Sequence, residues 1–128
     1  MEAVMIKFSA LWVGVVLSAH MGDVLRFYEP GIIEQIIAGD VEGMTTTQKG
    51  LLLSAIFMAI PIIMAVLSLT LPYNANRWAN IIFSIFFFVF TLIWLFTTKA
   101  PYKIFLGSIS LVFNVLIVWY AWKWVAPK

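Results

Sequence analysis

Four long apolar runs, separated by shorter polar stretches, dominate the hydrophobic pattern of the chain. Their approximate bounds are Phe8–Phe27, Leu51–Leu71, Trp78–Phe96 and Ile104–Trp122. Each is close to the ~20 residues that an α-helix needs to cross the hydrocarbon core of a bilayer. The pattern therefore predicts an all-α integral membrane protein in which residues 1–128 form a single four-span domain.

The connections between the runs predict how the helices are arranged. Pro72–Arg77 and Thr97–Lys103 are short, and short links force neighbouring helices to run antiparallel. We therefore expect an up-down-up-down four-helix bundle with both termini on one side of the membrane. Lys and Arg are evenly divided between the two sides, whereas most acids lie on the side away from the termini. This acidic excess is the basis for expecting both termini in the cytoplasm.

The segment between the first two runs, Tyr28–Lys49, contains a second periodic pattern. Four isoleucines recur at helical spacing between Pro30-Gly31 and Gly39: Ile32, Ile33, Ile36 and Ile37. This spacing predicts a short helix over Ile32–Ala38, with Glu34 and Gln35 on the opposite face. We expect this helix to lie on the membrane surface or at the mouth of the bundle. One of Thr45–Thr47 is suited to cap the second span.

The composition agrees with a membrane location and removes several classes of function. Hydrophobic residues make up 63% of the chain and charged residues 11%, whereas soluble domains average ~45–50% and ~25%. A soluble enzyme, a nucleic-acid-binding module and a disordered tail are therefore excluded. The net charge of +2 is carried mainly at the ends of the apolar runs, so it does not indicate a nucleic-acid partner.

The reactive side chains are few. The chain has no cysteine, which removes disulfides, thiol redox chemistry and thiolate metal sites. Its single histidine cannot supply a two-histidine haem site within one chain. No His, Asp and Glu residues have the spacing of a metal site, and there is no glycine-rich phosphate loop. We therefore expect no metal and no cofactor, and enzymatic activity is not favoured.

Small and polar residues predict which faces of the four spans meet, because hydrophobicity does not distinguish faces within lipid. They recur at alternating spacings of three and four, which is typical of a left-handed bundle. The predicted contact lines are Ser9, Trp12, Val16, Ala19, Asp23 and Arg26; Ser54, Met58, Pro61, Ala65 and Ser68; Asn80, Ser84, Phe87, Thr91, Trp94 and Thr98; and Gly107, Ser110, Asn114, Ile117 and Ala121.

Two residues within these lines are unusual for a membrane span. Pro61 removes a helical hydrogen bond and predicts a kink, which serves either packing or a moving gate. Asn114 lies near the bilayer centre, where its amide needs partners from Ser110 or from a neighbouring helix.

One group of residues is a candidate for chemistry. His20, Asp23 and Arg26 follow one another at intervals of three within the last two turns of the first span. In an antiparallel bundle the same depth receives Ser54, Met58, Thr91, Trp94, Gly107 and Ser110. This predicts a polar pocket in one leaflet, with His20 titrating near neutral pH and Asp23 holding Arg26 or a cation. In the alternative interpretation, Asp23 and Arg26 form only an intrahelical ion pair, with Arg26 extending to the membrane surface.

Several stretches resemble a family of small prokaryotic four-helix membrane proteins of unknown function. The resemblance is carried by Leu71–Ile82, with its Asn-Arg-Trp-Ala-Asn run, and by Asp23-Val24, Pro30–Ile36, Ile60-Pro61-Ile62 and Trp119–Trp124. It implies the four-helix architecture, a prokaryotic inner or plasma membrane and no assigned activity. The layout is also distantly similar to that of DoxX-like proteins. The family has an aromatic-Ala pair where this chain has Met21-Gly22, so the resemblance carries over Asp23 and not His20.

The run that carries the resemblance suggests a second site. Asn74, Asn76, Arg77 and Asn80, next to Trp78, crowd one turn at the interface on the side of the termini. Arg77 is suited to hold a lipid phosphate or a carbonyl at the C-terminal end of the second span. The simpler interpretation is that the asparagines close the turn and cap the helices.

Three functions are compatible with these features. The first is binding or translocation of a small solute or ion at the pocket around Asp23. The second is a non-catalytic membrane scaffold or accessory subunit, and a weaker third is a helper of a quinone- or lipid-linked membrane enzyme. The expected partners are the bilayer and either a second copy of the chain or another membrane protein. A solvent-reachable pocket at Asp23 would favour the first function, and a closed, dry bundle would favour the second.

Overall fold

The computed structural model describes residues 2–41 and 44–125, so Met1, Glu42, Gly43 and residues 126–128 of the expected domain lie outside it. In chain order its elements are α1 (Ala3–Arg26), α2 (Ile32–Ala38), β1 (Asp40–Val41), β2 (Met44–Thr45), α3 (Gln48–Leu67), α4 (Tyr73–Thr97) and α5 (Pro101–Lys123). The helices α1, α3, α4 and α5 are long and apolar enough to cross a membrane. The predicted four-span, all-α architecture is therefore confirmed.

The four long helices form a ring in the order α3, α1, α5, α4. Backbone packing is most extensive between α4 and α5, then between α1 and α5, and then between α1 and α3. The contact between α3 and α4 is instead made by aromatic rings. Phe57 of α3 lies 5.9, 4.9 and 4.6 Å, between ring centroids, from Phe86, Phe87 and Phe90 of α4. We call these four residues the phenylalanine cluster.

Helix α4 begins at Tyr73, before the apolar run that starts at Trp78. The polar residues after Pro72, which suggested a loop, form its first turn instead. The reason is local: the Asn76 side chain donates to the carbonyls of Ser68 (2.9 Å) and Leu71 (3.3 Å) in the turn before it. The Asn76 side chain can close the preceding turn while its own backbone is helical, so these polar residues belong to the helix. The hydropathy pattern therefore located the membrane-spanning segment but not the start of the helix.

The short helix predicted over Ile32–Ala38 is present with those bounds. It begins after Gly31 (φ 85°) and ends before Gly39 (φ 76°), two left-handed conformations that glycine adopts without strain. Only Ile32 of the isoleucine stripe is buried. The other three isoleucines, Ile33, Ile36 and Ile37, are exposed. We therefore expect them to pack against lipid and not against the mouth of the bundle.

The segment that leads to α3 contains two details. The Thr47 hydroxyl accepts a hydrogen bond from the Gly50 amide (3.0 Å), which confirms a threonine cap for the second span. The two-residue strands β1 and β2 pair antiparallel, with Asp40 opposite Thr45, and were not predicted. Strands of this length carry no periodic signal, because alternation needs several residues to be recognised.

The predicted contact line is fully confirmed for the last span. Its five residues are the buried residues of α5: Gly107, Ser110, Asn114, Ile117 and Ala121. On α1 the buried line is Phe8, Trp12 and Val15 instead of Ser9, Trp12 and Val16. Large side chains define this line because α1 faces the centre of the bundle, where Trp12 is fully buried and its ring packs edge-on against Phe87 at 6.0 Å.

Pro61 and Asn114 are both fully buried, as expected of residues that lie where two helices meet. The α3 helix continues through Pro61. The Asn114 amide donates to the Ser110 carbonyl (3.0 Å), and its side-chain oxygen and its carbonyl both accept from the Ser84 hydroxyl of α4 (3.1 and 2.7 Å). The amide near the bilayer centre thus has the intrahelical and interhelical partners expected of it.

We expect Gly107→Leu to lower the thermal stability of the protein in detergent. A Cβ atom at Gly107 would lie 2.5 Å from Cδ2 and 3.1 Å from Cγ of Leu95, so a leucine there must displace the Leu95 side chain from the contact between α4 and α5. Gly22→Leu is the matched control, because the nearest atom to a Cβ at Gly22 is 3.8 Å away. Equal melting temperatures for the two variants would contradict a close contact of α4 and α5 at Gly107.

Candidate functional site

The predicted pocket residues occupy the half of the bundle that is far from the termini, and they differ in burial. Gly107 and Ser110 are buried between helices, and Arg26, Met58 and Thr91 are partly buried. The other four are exposed: His20, Asp23, Ser54 and Trp94. These nine residues therefore do not line an enclosed cavity within the described chain.

Three of the exposed members, Asp23, Ser54 and Trp94, nevertheless lie on the helix faces that form the core elsewhere, whereas His20 lies off the buried line of α1. Asp23 follows the buried Trp12 by about three helical turns, and Ser54 precedes the buried Pro61 by about two. Trp94 likewise follows the buried Phe87 by about two turns. The three core lines thus continue into the far half of the bundle, where no described residue covers them.

The position of α3 explains this exposure. Every residue from Leu51 to Ile56 is exposed, so the part of α3 that precedes Phe57 contributes no buried residue to the bundle. Its buried residues all lie in the second half: Pro61, Met64 and Ala65. The bundle is therefore closed on the side of the termini and open on the other side. We call the region lined by Asp23, Ser54 and Trp94 the open half.

Glu29, just after the end of α1, is held by two residues of α5 and lies within the electrostatic influence of Arg26. Glu29 accepts a hydrogen bond from the Tyr102 hydroxyl and lies 3.6 Å from the Lys103 ammonium. The Tyr102 hydrogen bond, together with the charges of Lys103 and Arg26, lowers the pKa of Glu29 from its ordinary value despite partial desolvation. This contact joins the end of α1 to the start of α5. No local sequence pattern predicts a contact between residues so far apart in the chain.

Asp23 makes no ion pair with any residue in the described ranges. The intrahelical Asp23–Arg26 pair that the spacing allows is therefore not formed. Asp23 presents an unpaired carboxylate to the open half, about one turn before the end of α1.

The closed half contains a buried network of polar side chains. Asn80 accepts from the indole N–H of Trp12 (2.7 Å) and from the Ser68 hydroxyl (3.3 Å). Its amide donates to the carbonyl and to the side-chain oxygen of Asn76 (2.8 and 2.6 Å). All four residues of this asparagine network, Trp12, Ser68, Asn76 and Asn80, are fully buried and hydrogen-bonded to one another.

Of the other residues of the predicted second site, Arg77 is partly buried and Asn74 and Trp78 are exposed. Nε of Arg77 donates to the Ala121 carbonyl (2.9 Å) and Nη2 donates to the Trp122 carbonyl (3.4 Å). The sequence suggested a helix carbonyl as one of two partners for Arg77. The observed carbonyls belong to the fourth span, however, and not to the second. Trp78 is exposed, with the Arg77 guanidinium 5.2 Å from its ring centroid.

The polar groups of the two halves differ in whether they have partners. The described residues include no group of three or more His, Asp and Glu residues that is able to hold a metal ion. The buried polar groups of the closed half bind one another, and the unpaired Asp23 faces the open half. Recognition by that carboxylate is the chemistry that the geometry supports.

The comparisons with known proteins give the chain a family and no activity. No curated protein and no solved structure matches the chain. A family model does match, over residues 3–128, and its description is a family of unknown function, DUF6326. The chain therefore belongs to the DUF6326 family.

Proposed function

We propose that this protein is a non-catalytic accessory subunit that receives a membrane-spanning helix of a partner in its open half. The observation that carries the proposal is the exposure of Leu51–Ile56 on all sides, next to core faces of α1 and α4 that are also uncovered. A helix has the length and shape to cover three such faces at once, whereas a small solute does not.

The polar residues of the open half support a specific partner. Ser54 continues the line of Pro61 and Ala65, and small or polar residues mark the faces at which membrane helices meet. An ionised carboxylate near the hydrocarbon needs a partner. We therefore expect the entering helix to carry a lysine, an arginine or a polar donor at the level of Asp23.

Binding or translocation of a small solute at Asp23 is the competing function. Small-molecule sites are usually concave and enclose ~300–1,000 Å³, whereas the faces around Asp23 are exposed. The buried side-chain nitrogen and oxygen atoms in the described part of the closed half also have hydrogen-bond partners already, so none is available to a solute crossing the bundle. These observations favour the partner helix over a carrier.

The chain has no cysteine, so single-cysteine labelling tests the proposal directly. We expect Ser54→Cys, carrying a photoreactive maleimide in native membranes, to give one discrete protein adduct. Val66→Cys, on the exposed face of the same helix in the closed half, should give only lipid adducts. Adding Asp23→Leu should remove the Ser54 adduct, because the carboxylate no longer attracts the donor on the partner.

Two outcomes would contradict the accessory-subunit proposal. One is the same adduct pattern from Ser54→Cys and Val66→Cys. The other is solute or ion flux in liposomes containing only the purified protein, provided that Asp23→Asn abolishes this flux without changing the melting temperature. The second result would support the solute function instead.

A further inference from the structure

An apolar groove runs along the outer surface between α4 and α5, in the closed half of the bundle. It has a volume of about 460 Å³ and is lined by Ile85, Phe88, Val115, Val118, Trp119 and Trp122, with Asn114 buried beneath. This volume is within the ~300–1,000 Å³ range of small-molecule sites. The groove lies away from the open half, so a ligand bound in it is independent of the proposed function.

The groove extends through most of one membrane leaflet. Trp122 lies near the end of α5, at the interface on the side of the termini, and Val115 lies about 10 Å deeper along the helix. On α4, Ile85 lies about 12 Å along the axis from Arg77. Half of the ~30 Å hydrocarbon core is about 15 Å. A chain in the groove would therefore reach from the interface almost to the bilayer centre.

A cation lies at the interfacial end of the groove. The Arg77 guanidinium is 5.5 Å from the ring centroid of Trp122, one of the groove residues, and 5.2 Å from that of Trp78. Its two hydrogen bonds to α5 carbonyls use only part of its five N–H groups. No carboxylate in the described part of the chain pairs with it. Arg77 therefore retains both positive charge and donors for an external acceptor.

We propose that this groove and Arg77 bind one anionic phospholipid, with an acyl chain in the groove and the phosphate on the guanidinium. Guanidinium groups bind phosphate through charge-assisted hydrogen bonds. A headgroup with net negative charge fits better than a zwitterionic one, because a choline ammonium would lie close to Arg77. Trp119 and Trp122, half-exposed beside the groove, contact the lipid at the level where amphipathic rings are favoured.

Tryptophan quenching by brominated lipids tests this proposal with the full chain in vesicles. We expect brominated phosphatidylglycerol to quench the wild-type protein at a severalfold lower mole fraction than brominated phosphatidylcholine. Arg77→Gln should make the two lipids equal quenchers, because it removes the charge that distinguishes them. Lys123→Gln, which removes an exposed cation from the same end of α5, should keep the preference.

A second variant tests the groove without changing the charge. Val115→Phe fills the groove and should reduce the preference for phosphatidylglycerol, whereas Val66→Phe on the exposed face of α3 should keep it. Water-soluble glycerol 3-phosphate should not compete with the lipid. Equal quenching by both lipids in the wild type, an unchanged preference in Arg77→Gln or Val115→Phe, or competition by glycerol 3-phosphate would each overturn the lipid site.

Discussion

Asn80→Leu is expected to lower the free energy of unfolding in detergent by about 2–4 kcal/mol. Asn80 lies at the centre of the asparagine network, where it accepts from Trp12 and Ser68 and donates to Asn76. Leucine has a similar size and no polar atoms. The substitution therefore leaves the Trp12 indole N–H and the Ser68 hydroxyl without an acceptor in a buried site, and unmet buried donors are costly. Asn74→Leu, at an exposed position of the same helix, is the matched control and should change stability little.

A double-mutant cycle with Trp12→Phe makes this prediction specific to the hydrogen bond. Once the indole N–H is absent, Asn80→Leu has less to disrupt, so the combined loss should be smaller than the sum of the two single losses. The measurement is unfolding of the four proteins under identical detergent conditions. Additive losses would show that Trp12 and Asn80 contribute independently and that the network is not a cooperative unit.

Phe57→Ala is expected to have the second large effect, because Phe57 is the centre of the phenylalanine cluster that joins α3 to α4. Its ring contacts three rings of α4. Deleting a buried aromatic side chain typically costs ~3–5 kcal/mol, and the partial burial of Phe57 places it near the lower end. The turn between α3 and α4 still connects the two helices, so we expect α3 to move outward without complete unfolding.

Spin labels provide the structural measurement for Phe57→Ala. Labels at Ile62→Cys on α3 and Ile82→Cys on α4, both exposed positions, should show a longer and broader distance distribution in the variant. Phe96→Ala, which removes an 84% exposed ring from α4, should leave distances and stability unchanged. An unchanged distance in Phe57→Ala would mean that packing against α1 alone holds α3 in place.

The amino-acid sequence by itself determined the membrane class, the four spans, the interfacial helix and the contact line of α5. These depend on local properties: the length of an apolar run sets whether a helix crosses the bilayer, and small and polar residues mark helix contacts where hydrophobicity does not. The Thr47 cap and the turn closed by Asn76 are local in the same sense, since the partners of these side chains lie a few residues away.

The tertiary structure decided which predicted residues meet. Asp23 lies three turns after Trp12 and therefore on the same face of α1. Whether another helix covers Asp23 depends on the course of α3, which is far away in the sequence. The same holds for Glu29, which binds Tyr102 and Lys103, and for Arg77, which binds carbonyls of the fourth span. Helical periodicity specifies the direction of a side chain relative to its own axis. It does not specify the distance between two helix axes, and that distance determines whether a face is covered as part of a core or left open as a site.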